Sequence, residues 1–102
     1  MIEDNEVLEA YENITGLRVR DMNENEKQGI LYSESDYPLG SKEVLGYKMA
    51  VDACGGIYNF ELLPVFLRNH VDWADVYDEI ITKWTFTHGV YNNRYFVFWK
   101  DM

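Results

Sequence analysis

The spacing of apolar residues predicts three main helices along the chain. Residues 4–15 place their apolar side chains on a single stripe, and residues 72–84 repeat apolar positions three and four apart, which defines one buried helix face. A third helix is predicted over residues 42–54. Two of these segments follow a residue that makes a good N-cap, Ser41 and Asp72. Local capping therefore agrees with the hydrophobic periodicity.

Shorter segments between these helices are predicted to form strands. Residues 17–22 alternate apolar and charged side chains and residues 29–33 are a second apolar run, so the two are predicted to pair as a hairpin through the polar connector 23–28. Residues 57–70 are ambiguous between one helix and a strand followed by a helix, and the favoured interpretation is a short strand at 57–62. A fourth helix is expected to begin near Pro64, because a proline ring suits the first turn of a helix.

The C-terminal residues 85–100 are predicted to form a second hairpin that turns at Asn92 and Asn93, since asparagine tolerates left-handed backbone. The two-residue turn sets the register. The expected pairs are Phe86 with Trp99, His88 with Val97, Gly89 with Phe96, and Val90 with Tyr95. Residues 95–99 are apolar on both faces, which predicts a central strand. The predicted fold class is α+β, a single small domain over residues 1–102 with an antiparallel sheet of about four strands packed against three or four helices.

Composition and charge exclude several classes of protein. The chain has 102 residues, of which 47% are apolar, so it can bury one core. Eighteen acidic side chains against nine basic ones give a formal charge of -9, and such a surface repels phosphate backbones. The first six residues lack the features of an export signal, and no apolar run approaches the ~18 residues of a membrane span. We expect a cytoplasmic protein that binds neither membranes nor nucleic acid directly.

The negative charge is unevenly distributed, since the first 40 residues carry seven of the nine net charges. The first predicted helix has no basic side chain, and its acidic residues recur at about every third position, where like charges repel. These residues are Glu3, Asp4, Glu6, Glu9 and Glu12. A second row lies on the helix predicted over 72–84 and could hold a cation, receive a basic partner, or simply be a solvated face matched to the helix dipole. Its members are Asp72, Asp75, Asp78 and Glu79.

No group of residues has the spacing of a known catalytic or metal site. Cys54 follows a predicted helix C-terminus, where the dipole opposes a thiolate, and is expected to be a small buried side chain. Residues 21–25 match the opening of a calcium-binding loop, but the glycine and the bidentate carboxylate that the loop needs further on are missing. His70 and His88 lack metal-ligand spacing. We therefore expect no enzymatic activity, no metal and no cofactor.

Three Trp and eight Tyr are many for one small core, so some of them are expected at the surface. Tyrosine is a favoured interface anchor, and the candidates are Tyr37, Tyr47 and Tyr91. In size and composition the chain is similar to phage-encoded nucleic-acid mimics, such as anti-CRISPR and anti-restriction inhibitors. It is also similar to immunity proteins that neutralise bacterial nucleases.

The acidic charge and the absence of a catalytic group in the sequence predict an inhibitor that binds the basic surface of a nucleic-acid-binding protein, a nuclease or a phage-defence effector. The carboxylates of the first predicted helix and of Asp72, Asp75, Asp78 and Glu79 are expected at the phosphate positions, and the sequence leaves open whether the two rows form one patch. The alternatives are an immunity protein for a toxin nuclease and a structural or assembly subunit.

Overall fold

The structure is a computed structural model that describes residues 3–83 and 87–99. The described residues divide into two compact units, which we name the sheet unit, residues 3–39 with 87–99, and the helical unit, residues 40–83. The α+β fold class is confirmed. Within the described residues there are three strands where about four were predicted, and six α-helices where three or four were predicted. A single domain stays a prediction.

The elements follow the chain in a simple order. The sheet unit consists of α1 (Asp4–Thr15), a 3-10 helix (Val19–Asp21), α2 (Glu24–Ser33), β1 (Glu34–Pro38), β2 (Thr87–Tyr91) and β3 (Arg94–Phe98). The helical unit consists of α3 (Lys42–Ala53), α4 (Ile57–Phe60), α5 (Val65–Arg68) and α6 (Trp73–Lys83). The three long helices predicted over residues 4–15, 42–54 and 72–84 are confirmed. The first two end within one residue of the predicted boundary, and the third is helical over Trp73–Lys83, its predicted end at residue 84 lying outside the described residues.

The predicted N-terminal hairpin is wrong. Residues 24–33 form helix α2, because the Asn23 side chain accepts a hydrogen bond from the Glu26 backbone N–H at 2.8 Å and so caps the helix. Asparagine followed three residues later by glutamate is a helix-start signal. The alternation of apolar and charged residues at 17–22 favoured a strand and obscured this signal. In the segment predicted as the first strand, Val19 begins a 3-10 helix and is buried, whereas Leu17 is exposed.

The C-terminal hairpin is confirmed. His88 pairs with Val97, Gly89 with Phe96 and Val90 with Tyr95, in the predicted register. Asn92 and Asn93 both adopt left-handed backbone, with φ of 53° and 60°. The predicted pair of Phe86 with Trp99 lies outside the described residues.

Strand β3 lies at the centre of the sheet, as predicted, in the order β1, β3, β2 with antiparallel pairing throughout. Its second neighbour is β1, which contains Tyr37 opposite Tyr95 and which no sequence pattern indicated. The core of the sheet unit forms where α1 and α2 pack on this sheet. It contains Val7, Ala10, Ile30, Phe96 and Phe98.

Gly89 allows helix α1 to lie close to the hairpin. A Cβ atom at this position would stand 2.9 Å from Cγ1 of Ile14, a contact that real Cβ atoms essentially never make. The missing side chain in β2 therefore sets how near the acidic helix comes to the sheet.

The helical unit is built around the packing of α3 on α6. At Gly46 a Cβ atom would lie 1.9 Å from the carbonyl oxygen of Trp73, so the two helix backbones meet here. The rings of Tyr47 and Trp73 pack edge to face with centroids 5.2 Å apart. Leu45, Met49 and Ile80 are buried in the same unit.

The connection between α3 and α6 differs in part from prediction. Residues 57–62 do not form a strand, because residues 57–60 are the short helix α4 and Phe60 is buried with its ring 5.3 Å from that of Tyr47. The helix expected near Pro64 is confirmed as α5, with Pro64 at its N-cap. Cys54 is exposed at the end of α3, so its predicted burial is wrong. The chain turns away there through the positive-φ residues 55 and 56.

Candidate functional site

The strongest concentration of negative charge belongs to the sheet unit. Its described residues include ten acidic and four basic side chains, whereas those of the helical unit include seven and four. Half of the ten lie on or next to helix α1. We name them the α1 acidic surface: Glu3, Asp4, Glu6, Glu9 and Glu12.

The carboxylates of this surface run diagonally across the exposed side of α1. Because an α-helix has 3.6 residues per turn, positions three apart drift by about 60° around the axis. In the first half of the row, Glu6 accepts a hydrogen bond from the Asn92 side-chain amide at 3.4 Å. At the last position of the row, Glu12 accepts from the backbone N–H of Val19 at 3.1 Å. The row therefore extends from the hairpin turn to the 3-10 helix, while Val7 on the other side of α1 is buried in the core.

The groups that contact this row are neutral. Asn92, Val19 and the Tyr91 hydroxyl, which donates to Glu9 at 3.5 Å, carry no charge. Within residues 3–83 and 87–99, the ion pairs that the structure shows all involve acidic residues outside this surface. Among the described residues, no lysine or arginine therefore forms an ion pair with the α1 acidic surface. Asp4 and Glu6 lie in the first turn of the helix, where the helix dipole favours carboxylates.

The acidic row on α6 has internal uses instead. Asp72 accepts hydrogen bonds from the backbone N–H groups of Ala74 and Asp75, and so caps the helix. Asp78 forms an ion pair with Lys42 at 3.1 Å, and Glu79 forms one with Lys83 at 3.1 Å. Asp75 lies in the first turn. Sequence analysis assigned both rows to partner binding and left open whether they form one patch. In the structure the two rows belong to different units, and two members of the α6 row are ion-paired.

The three tyrosines predicted as interface anchors also lie in different units and differ in their surroundings. Tyr37 is wrong as an exposed anchor, because it is only 4% exposed within β1 and its ring lies 6.3 Å from that of Tyr95. Tyr47 belongs to the aromatic cluster with Phe60 and Trp73. Tyr91 is half-buried at the end of β2, with its hydroxyl directed at Glu9, so it adjoins the α1 acidic surface.

Asn92 is a member of this site that sequence reasoning assigned only to the turn. Its side-chain amide reaches Glu6, so the hairpin turn is attached to the acidic helix at Tyr91 and again at Asn92. The signal that could have pointed to the contact between Asn92 and α1 is Gly89, because a glycine in a strand allows a helix to lie close to it. The close packing at Gly89 brings the adjoining turn near α1.

The sheet unit also contains an apolar cleft of about 370 Å³ between α1, α2 and β3. Its walls come mainly from apolar side chains with few polar groups among them. The lining residues are Tyr11, Leu17, Met22, Glu26, Gly29, Ile30, Ser33, Thr87, Phe98 and Trp99. Such a lining offers packing surface rather than paired acid and base groups.

His88 lies on the C-terminal hairpin and contacts the neighbouring strand. Nδ1 of His88 lies 3.0 Å from the Tyr95 hydroxyl, and burial lowers the pKa of this imidazole. In the part of the chain that the structure describes, no three His, Cys, Asp or Glu side chains come together as a metal site. None of the described helices has both the length and the apolar character needed to cross a bilayer.

Comparison of the chain with protein-family models, with curated proteins and with solved structures finds no significant match. The features that bear on function are therefore those of the molecule itself, above all the α1 acidic surface and its attachment to the hairpin turn.

Proposed function

We propose that the protein is an acidic inhibitor that binds the basic surface of a nucleic-acid-binding protein and occupies the positions of nucleic-acid phosphates. The observation that carries the proposal is the α1 acidic surface, whose carboxylates contact only neutral groups within the described residues. A fold that needed these charges internally would pair them, as α6 pairs its own.

Helix α1 is a rigid support for such a surface. Val7 and Ala10 are buried on its inner side, and contacts from the hairpin turn hold Glu6 and Glu9. Three residues of helix rise by about 4.5 Å along the axis, which is of the same order as the ~3.4 Å axial rise per phosphate of one DNA strand. Carboxylates on a rigid element steer a basic partner at long range and lose little entropy on binding.

Tyr91 adds an aromatic group at the border of the acidic surface. It is half-buried, so part of its ring remains accessible beside Glu9. Tyrosine rings contribute affinity where charge alone gives mainly association rate and specificity. The proposed contact surface is therefore the α1 acidic surface together with Tyr91.

The test uses two variants with the same change in net charge. The first replaces Glu3, Glu6 and Glu9 by Gln, which keeps hydrogen-bond acceptors for Tyr91 and Asn92. The control replaces Asp75 and Asp78 by Asn and Glu79 by Gln on α6. Glu12 is left unchanged in both because it bonds to the backbone of Val19.

Each protein is used to capture partners from a lysate of the source cells at low and high salt, and the affinity for the captured protein is then measured. We expect the α1 variant to bind at least about tenfold more weakly, because a loss of only ~1.4 kcal/mol of binding free energy has this effect. Its affinity should also depend less steeply on salt, because fewer charges contact the partner. The α6 control should bind within about twofold of the unchanged protein, because two of its three carboxylates, those of Asp78 and Glu79, already form ion pairs with lysines. The chain should also displace nucleic acid from the captured protein.

Two outcomes would contradict the proposal. Capture of no nucleic-acid-binding protein at low salt would remove the inhibitor function. An equal loss of affinity in both variants would show that total charge, rather than the α1 acidic surface, governs binding.

A further inference from the structure

The segment from residue 57 to residue 71 is unusually apolar and exposed. It includes both short helices of the helical unit, and Tyr58, Leu62 and Phe66 are 78%, 71% and 67% exposed. Single exposed apolar residues are normal on a protein surface, but a continuous group of them marks an interaction site. We name this group the apolar segment, and its exposed members are Ile57, Tyr58, Leu62, Leu63, Val65, Phe66, Leu67 and Val71.

The apolar segment is held in place. Phe60 is buried and packs against Tyr47 and Trp73 with ring centroids 5.3 and 5.8 Å away. The guanidinium of Arg68 lies 5.8 Å from the centre of the Phe60 ring, and its Nε donates to the Leu63 carbonyl at 3.0 Å. The segment therefore presents its apolar side chains from an anchored backbone, so little ordering entropy would be lost on binding.

Local geometry explains why the chain does not bury these side chains itself. Gly56 turns the backbone at φ 117°, and Pro64 separates two helices of four residues each. So short a helix can direct only one or two side chains inward, and here Phe60 takes that position while its neighbours face outward.

The charge of the apolar segment differs from that of the rest of the protein. Residues 57–71 contain one acid, Glu61, and one base, Arg68, whereas the whole chain has a formal charge of -9. Two copies of so acidic a chain repel each other across most surfaces, and this repulsion is weakest where the segment is neutral. An anionic lipid surface or a nucleic acid would be repelled by the same net charge, and a single arginine would not offset it.

The exposed apolar area of the segment is comparable with the area that a protein interface buries on each partner. Eight large apolar side chains, each exposed by between 37% and 78%, expose on the order of 800 Å² in total, which is comparable with the share of each partner in a standard interface. A two-fold arrangement is self-complementary and lets the one acid of each copy face the one base of the other. We propose that the apolar segment is the interface of a homodimer, with a second copy of this chain as its occupant.

Sedimentation of the purified chain over a range of concentrations tests this proposal. The unchanged protein is expected to approach twice the 12.1 kDa chain mass as concentration rises. Replacing Leu62 and Phe66 together by Ser should weaken the dimer by at least about a hundredfold, since two large apolar side chains leave the interface. The matched control replaces Tyr32 and Leu39 by Ser, because these are also exposed but lie in the sheet unit, and its dimer constant should not change.

Salt distinguishes this proposal from the proposed inhibitory complex. Salt screens the repulsion between two acidic copies and leaves apolar contact intact, so the dimer should tighten as salt rises. Binding through the α1 acidic surface should weaken under the same conditions. Either proposal can therefore fail while the other stands.

Three results would overturn the homodimer. One is a protein that stays monomeric up to its solubility limit, and another is a Leu62 and Phe66 double variant that dimerises as strongly as the unchanged chain. The third is a monomer that sediments with neutral phospholipid vesicles and loses this binding in the double variant, which would assign the apolar segment to a lipid surface. Circular dichroism melts confirm that each variant remains folded.

Discussion

Helices α1 and α6 have the same general design but use their acidic residues differently. Each is amphipathic, and each packs closely against a glycine, α1 at Gly89 and α6 at Gly46. The acidic residues of α6 cap the helix or pair with lysines, whereas those of α1 contact neutral groups within the described residues. Two acidic side chains of α6 are thus ion-paired within its own unit, while those of α1 form no ion pair among the described residues.

The two glycine contacts also differ in what a side chain would meet. At Gly46 the obstacle is the backbone carbonyl of Trp73, which cannot move without its helix. At Gly89 the obstacle is the side chain of Ile14, which can adjust. Substitutions at these positions should therefore differ in cost.

The largest effect is expected for Gly46→Ala. The added methyl group would lie 1.9 Å from the Trp73 carbonyl oxygen, so α3 and α6 must separate, at a cost of about 3 kcal/mol in the free energy of unfolding. Urea denaturation measures this loss. The control is Gly29→Ala in α2, where no atom lies within 4 Å and where alanine should stabilise the helix by about 0.5 to 1 kcal/mol. Equal effects at the two sites would show that helix propensity, rather than the close approach, governs Gly46.

A smaller loss is expected for Gly89→Ala. The new Cβ would meet Ile14 at 2.9 Å, and a partial shift of that side chain limits the cost to about 1 to 2 kcal/mol. Adding Ile14→Val should recover part of the stability, because it removes the methyl group (Cδ1) that lies 3.2 Å from the new Cβ. A double-mutant cycle in urea measures the coupling. If the stability changes of Gly89→Ala and Ile14→Val simply add, the two positions are not coupled, and α1 does not rest on this glycine.

The next largest difference is expected when the N-cap residues of α6 and α1 are replaced. Asp72→Ala deletes the acceptor for two backbone N–H groups of α6 and should cost about 1 kcal/mol. Glu3 occupies the N-cap of α1 but makes no capping hydrogen bond, so Glu3→Ala should leave stability nearly unchanged. Thermal melts of the two variants provide the measurement, and a larger loss for Glu3→Ala would reverse the assignment.

The smallest effects are expected to have opposite signs. Glu9→Gln relieves repulsion from Glu6 and Glu12 and should stabilise the protein by a few tenths of a kcal/mol. Asp78→Asn breaks the exposed ion pair with Lys42 and should destabilise it by a similar amount. Urea denaturation at low salt resolves both changes, and high salt should diminish them. The same sign for both would remove the contrast between α1 and α6.

The elements that sequence analysis predicted correctly are those with complete local signals. Helix α6 combines a single apolar face with the cap at Asp72, and the C-terminal hairpin has Asn92 and Asn93 in left-handed backbone. Helix α2 was missed although Asn23 and Glu26 form a helix-start signal, because the apolar alternation before it favoured a strand. Strand β1 carries no comparable local signal.

The candidate site was predicted in part. The acidic residues of α1 and Tyr91 were identified from charge and residue type, and the structure brings Tyr91 to Glu9. The burial of Tyr37 could not be predicted, since it depends on β1 pairing with a strand about sixty positions further along the chain.

The long helices, the register of the hairpin and the excess of carboxylates on α1 follow from the order of residues, because each of these depends on residues close together in the chain. Which carboxylates form ion pairs and which apolar residues stay exposed depends on how distant segments pack. Lys42 reaches Asp78 across 36 positions, and burial of Phe60 by Tyr47 and Trp73 leaves its neighbours at the surface. Such contacts depend on how the elements pack, and residue spacing alone does not encode that packing.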